Sequence, residues 1–118
     1  MQPFIIIYPY FKKYSAMAVY PFILLKNKHL QKNKILMNHE KIHLRQQLEL
    51  CIVPFYILYL LHYCVNLVVY QNHDKAYRTI IFEREAYDNE HNMEYLTTRK
   101  FANFIYGSAI NVMFLLSL

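Results

Sequence analysis

A single glycine, Gly107, has to serve the turns of 118 residues. Backbone positions that need a positive φ are therefore poorly supplied, and the many tight hairpins of an all-β sandwich or barrel are hard to build from this chain. Helices joined by a few short connections are the economical alternative. The content of hydrophobic residues, 56%, is ample for a core, and the length is that of one domain. The expectation is a single domain over residues 1–118, mainly α (α+β), with a small N-terminal strand pair in residues 1–30, a helical core in 31–100 and an apolar tail in 101–118.

The core is expected to be organised around His39, Glu40 and His43, which read H-E-x-x-H. On a helix, residues four apart share a face, so both imidazoles can reach one metal ion at ~2.0–2.1 Å. Glu40 lies one step round, placed to take a proton from a water that the metal activates. The spacing suits Zn²⁺, with a third protein ligand from elsewhere and a fourth position left open. A helix starting near Lys32 and running past Leu50 puts Ile35, Leu36, His39, Ile42, His43, Gln46 and Leu50 on one side. Lys34, Lys41, Arg45 and Glu49 fall on the other. Both motif histidines then face inward.

Upstream, residues 4–11 and 18–25 are rich in β-branched and aromatic side chains and read as strands, with Pro9 and Pro21 favouring sheet edges. An open edge beside the motif helix would suit an extended peptide. Downstream, residues 51–70 carry no formal charge and are long enough to span a bilayer. Yet Tyr56, Tyr59, Tyr63, Asn66 and Tyr70, with His62 alongside, form a polar stripe at helical spacing. Such a helix packs its stripe against the protein, either buried beside the site or at a membrane. Cys51 and Cys64, thirteen apart with no C-x-x-C pair, read as small buried hydrophobes.

Residues 71–78 read as a polar connector. Thr79 then suggests a cap for an acidic helix running through Phe82 to about Lys100. On it Glu83 shares a side with Phe82, Ala86, Tyr87, Glu90 and Met93, whereas Glu85 shares one with Asp88, Asn89 and Asn92. Periodicity favours Glu83 as the third metal ligand, with Glu85 as the alternative. A donor to the developing oxyanion is expected from among Tyr56, Tyr59, His62, Tyr63 and Tyr87.

His39-Glu40-x-x-His43 followed by Phe82-Glu83-Arg84-Glu85-Ala86 resembles the gluzincin metallopeptidases, in particular the CAAX prenyl protease and HtpX-like branch. That branch reads F-E-x-[EQ]-A-D, and the resemblance implies that Glu83 binds zinc. Tyr87 stands where the branch has aspartate. The chain is also similar to small bacterial proteins that carry H-E-x-x-H-x-x-Q-Q, matched by Gln46 and Gln47, and F-E-R-E-A-Y. This likeness implies a minimal gluzincin core without appended substrate domains.

The implied function is zinc-dependent hydrolysis of peptide or protein substrates, with Glu40 as general base. Two other classes compete: a non-catalytic protein in which zinc serves structure or sensing, and a membrane-associated interaction protein using residues 51–70 and the tail. The net charge of +5 is scattered, and without a recognisable binding module or interleaved exposed aromatics it does not point to nucleic acid. Lysines adjoining apolar segments fit a membrane surface better. No positive residue precedes the apolar run at 4–11 and no A-x-A site follows it, so no cleaved signal peptide is expected. The expected location is cytoplasmic or at the cytoplasmic side of a membrane.

Overall fold

A computed structural model describes residues 2–105. Three short strands come first, β1 (Phe4–Ile7), β2 (Ala16–Val19) and β3 (Phe22–Leu25). They form one sheet in the order β1-β3-β2, with β1 parallel and β2 antiparallel to the central β3. The run at 18–25 is thus not one strand, because the chain reverses at Tyr20-Pro21 and brings Ala18 opposite Ile23. Pro21 sits in the turn, where its missing N–H removes no ladder bond, so the strand after it can be central. Ile23, Leu25 and Ala18 face Leu44 of the first long helix, with Ile5, Leu36 and Met37 closing the cluster.

That helix, α1 (Lys34–Glu49), starts when the Asn33 side chain accepts from the Leu36 N–H at 3.1 Å. Residues Lys28–Lys32 form a separate short 3-10 turn. His39, Ile42, His43 and Gln46 face inward as expected, and Asn38, Glu40, Leu44 and Gln47 are buried too. The buried arc is wider than one helical stripe because α1 is covered on two sides. Leu44 meets the sheet, and Ile42 meets Ala86 and Tyr95.

The shortage of glycine shows at the turns. Cys51, Ile52, Gln71 and Ala102 all take positive φ, between 51° and 70°. For an L-residue this region costs ~1–2 kcal/mol, and the β-branched Ile52 is especially out of place there. Cys51 and Ile52 carry the chain into α2 (Val53–Tyr70), with Pro54 in its first turn.

α2 is turned polar side in. Only Phe55 and Asn66 are fully buried. Its polar stripe faces the protein, while Val53, Ile57, Leu60, Leu61, Val65 and Val68 are exposed. Both cysteines are exposed as well, contrary to the expectation of buried thiols. Cys64 lies on the outer side of α2, and Cys51 lies in the turn before it.

The segment expected as a connector is a helix, α3 (His73–Arg78), because the Asn72 side chain accepts from the Lys75 N–H at 3.0 Å. Thr79 ends α3, its hydroxyl donating to the Lys75 carbonyl, instead of starting the next helix. α4 (Ile81–Asn89) begins with its Ile81 N–H donated to His62 Nδ1 of α2. It stops well short of Lys100, since the Asn38 side chain on α1 donates to the carbonyls of Asn89, Glu90 and Asn92. After this break, α5 (Tyr95–Thr98) and residues 99–105 fold back over α4, and Phe104 packs on Phe82. The apolar tail expected over 101–118 lies largely outside the described residues.

Candidate metal centre

α1 and α4 cross so that three side chains meet. His39 Nε2 and His43 Nε2 lie 3.2 Å apart, and each is 3.1 Å from Glu83 Oε1. All three residues are buried. Donor atoms bound to one zinc ion at ~2.0–2.1 Å in a tetrahedron stand ~3.3–3.4 Å apart, so this triangle is close to a ligand set as it stands. Among the described residues His39, His43 and Glu83 form a group that could hold a metal ion. Helical spacing puts the histidines together, and Glu83 joins them on the side of α4 that periodicity selects.

Each of the three side chains is oriented by a partner of its own. His39 donates from Nδ1 to Glu90 Oε2 at 2.7 Å, and His43 donates from Nδ1 to Gln46 Oε1 at 2.8 Å. Both rings therefore point Nε2 at the centre, the arrangement that makes imidazole a ligand. Tyr59 donates its hydroxyl to Glu83 Oε2 at 2.6 Å, which leaves Oε1 for the histidine side. Tyr87 packs edge-on against the His39 ring, with centroids 4.6 Å apart. The resemblance placed an aspartate at position 87 of the pattern; here Glu90, one turn further on, carries the carboxylate that anchors His39.

Burial alone would depress His43 and raise Glu83. Their mutual attraction reverses both, so His43 is pushed up to about 9 and Glu83 is held well below the ordinary carboxylate range, helped by hydrogen bonds from His39 and Tyr59. Glu40, also buried, is raised by desolvation, which the nearby His43 and His39 oppose only in part. The Glu40 side chain lines a cleft of about 450 Å³ together with His43, Glu83, Ala16, Met17 and Ala18. Tyr14, Tyr56, Tyr63 and Tyr77 form its aromatic wall.

Glu85 is not part of the metal group and is not solvated as its helical side suggested. It is buried, accepting from Gln46 Nε2 at 2.8 Å, from the Tyr95 hydroxyl at 2.5 Å and from Arg99. A straight helix to Lys100 would have carried Arg99 away; the break after Asn89 brings it back. The five expected oxyanion donors are engaged elsewhere. Tyr56 donates to the Ala18 carbonyl, Tyr59 to Glu83 and Tyr87 to Tyr77, while Tyr63 bonds His73 and His62 receives the first N–H of α4. Gln46 and Glu90, both on sides that periodicity turns inward, are the partners that orient the two imidazoles. Arg99 and Tyr95 gave no signal in the sequence.

Gln47 ties this assembly to the sheet. Its amide accepts from the Tyr20 N–H at 2.7 Å and donates to the Ala18 carbonyl at 2.8 Å, so it occupies the outer edge of β2 as a neighbouring strand would. Among the described residues no buried side-chain nitrogen or oxygen lacks a partner. No protein-family model, curated protein or solved structure matches this chain, and the centre formed by His39, His43 and Glu83 is read from its own atoms.

Proposed function

We propose that this protein is a zinc-dependent metallopeptidase of gluzincin type, with His39, His43 and Glu83 as zinc ligands and Glu40 as general base. The observation that carries the reading is the convergence of His39, His43 and Glu83 next to a cleft that His43, Glu83 and Glu40 line. Two imidazoles and one carboxylate are the donor set of hydrolytic zinc sites that keep a fourth position open. Zinc bound there supplies Lewis acidity towards water and a peptide carbonyl.

Glu40 takes the proton of the attacking water and returns it to the leaving amine. Its desolvated carboxylate is a stronger base than a solvated one, and it has no ligand duty. Ala16, Met17 and Ala18 of β2 line the cleft opposite the tyrosine wall, so an extended peptide can be held there by side-chain contacts while Gln47 keeps the strand edge. The test is Glu40→Gln in purified, zinc-loaded protein. Zinc content should be unchanged and peptide hydrolysis should fall by about 10²–10⁴-fold; hydrolysis at the wild-type rate would sink the assignment.

A second reading concerns location, and α2 supports it. Its 18 residues have a mean hydropathy of 1.6, and 11% of them are buried. In water such a helix would hide its apolar side; in lipid that side is already in place, since the polar stripe is used inside the protein. The reading is that α2 lies against or within a bilayer with the cleft beside it. Flotation with phospholipid vesicles should carry wild type upward and leave a Leu61→Glu, Val68→Glu double variant behind. Equal recovery of both in the lipid-free fraction would exclude it.

A further inference from the structure

We propose that Arg99 is a positioning residue for the metal centre, acting on His43 through Glu85 and Gln46. The proposal rests on the metal reading of His39, His43 and Glu83, and it is independent of what the protein hydrolyses.

The Arg99 side chain is fully buried between two carboxylates. Its Nη1 donates to Glu49 Oε2 at 2.6 Å, at the end of α1, while Nε and Nη2 both donate to Glu85 on α4. The guanidinium therefore fixes the direction of Glu85 through two N–H groups, which a point charge would do less well. Glu85 Oε1 accepts from Gln46 Nε2, and the same NH₂ group donates to the Phe82 carbonyl at 3.0 Å. With two acceptors on its nitrogen side, the Gln46 amide cannot turn over without setting its oxygen against a carboxylate and a carbonyl. Its Oε1 is thereby held towards His43, where only an Nδ1–H is a suitable partner. Nε2 of His43 keeps its lone pair for the metal.

His39 provides an internal control. Its Nδ1–H goes to Glu90, which belongs to a different set of contacts, so a fault at Arg99 should reach one histidine and spare the other.

The experiment measures zinc affinity by competition with a chromophoric chelator and records the imidazole Nδ1–H signals of the zinc-loaded protein by ¹H–¹⁵N correlation. Wild type, Gln46→Met, Arg99→Met and Arg99→Lys are compared, with melting curves as a check on folding. Wild type should show protected Nδ1–H signals for both histidines. Gln46→Met should lose that of His43 alone and bind zinc about 10–100-fold more weakly. Arg99→Met should show the same signature near the low end, about tenfold, with Arg99→Lys in between. Folded Arg99→Met with wild-type affinity and an intact His43 signal overturns the proposal, and so does joint loss of both histidine signals. If Arg99→Met does not fold, an unchanged His43 signal in both Gln46→Met and Arg99→Lys overturns it equally. Absence of zinc binding by wild type would instead overturn the metal reading, and this proposal with it.

Discussion

α1 and α2 are neighbours of similar length that treat water in opposite ways. Six of the eight buried residues of α1 are polar: Asn38, His39, Glu40, His43, Gln46 and Gln47. α2 is far more apolar, yet it buries only Phe55 and Asn66 and leaves a row of aliphatic side chains exposed. The difference teaches that hydrophobicity did not choose which side faces in. In α1 the polar groups are inside because they are matched: His39 by Glu90, His43 by Gln46, Gln47 by the edge of β2. In α2 the inward groups likewise have set tasks, Tyr59 holding Glu83, His62 starting α4 and Asn66 donating to the Ala76 carbonyl.

The sharpest way to break the comparison is to remove one of the three side chains proposed as ligands. Glu83→Ala should weaken zinc binding by more than the about 10–100-fold typical of losing an orienting partner, whereas Glu85→Ala should leave the three ligands in place and bind zinc more weakly within that range. Equilibrium competition for zinc on both variants checks this, and the opposite ranking would refute the assignment of Glu83. The pH dependence comes next. His43 in the metal-free protein titrates near 9 instead of 6.5, so its stabilising pairing is complete below about pH 6.5 and is lost as pH rises through about 9. Glu83 acts in the other direction: its contribution is present above its ordinary value of 4.5 and is lost only well below it. On the proposed zinc reading a proton and the metal would compete for His43, so zinc affinity should climb between about pH 6.5 and 9 while the melting temperature of the metal-free protein falls.

On α2 the two sides should respond unequally. Asn66→Ala removes a buried amide and leaves the Ala76 carbonyl short of a donor, a loss of about 1–3 kcal/mol in urea unfolding. At the glycine-poor turns, Gln71→Gly relieves a left-handed residue at the end of α2 and should stabilise by about 0.5–1 kcal/mol in the same assay. Val68→Asn, on the exposed side, should stay within about 0.5 kcal/mol of wild type. A large effect at Val68 and none at Asn66 would mean that α2 is turned the wrong way round.

Much of this was legible in the sequence where one helix decides the outcome. The i, i+4 spacing brought His39 and His43 together, and the side of α4 shared with Phe82 and Ala86 selected Glu83. The mainly helical character followed from the scarcity of glycine. What stayed hidden depended on contacts between distant segments. Nothing local predicts that Asn38 would stop α4 at Asn89, and without that break Glu85 looks solvated and Arg99 looks irrelevant. The reversal inside 18–25 stayed hidden because Pro21 marks a sheet edge as readily as a turn, and Ala16 and Met17 are weak strand formers that gave β2 no start. The inward stripe of α2 was legible from its tyrosines and Asn66, but nothing local says whether another surface covers the opposite, apolar side.

Asn38 has a consequence for how the centre keeps its dimensions. Its amide nitrogen stands 2.9 Å from the carbonyls of Glu90 and Asn92 and 3.3 Å from that of Asn89. It is also adjacent in sequence to His39. One helix is therefore terminated by the residue beside His39 on another, and the same contact sets how far α4 slides along α1. It works as a ruler: a slip of α4 by one turn would move Glu83 by ~5.4 Å, and the grip of Asn38 on the end of α4 holds that register.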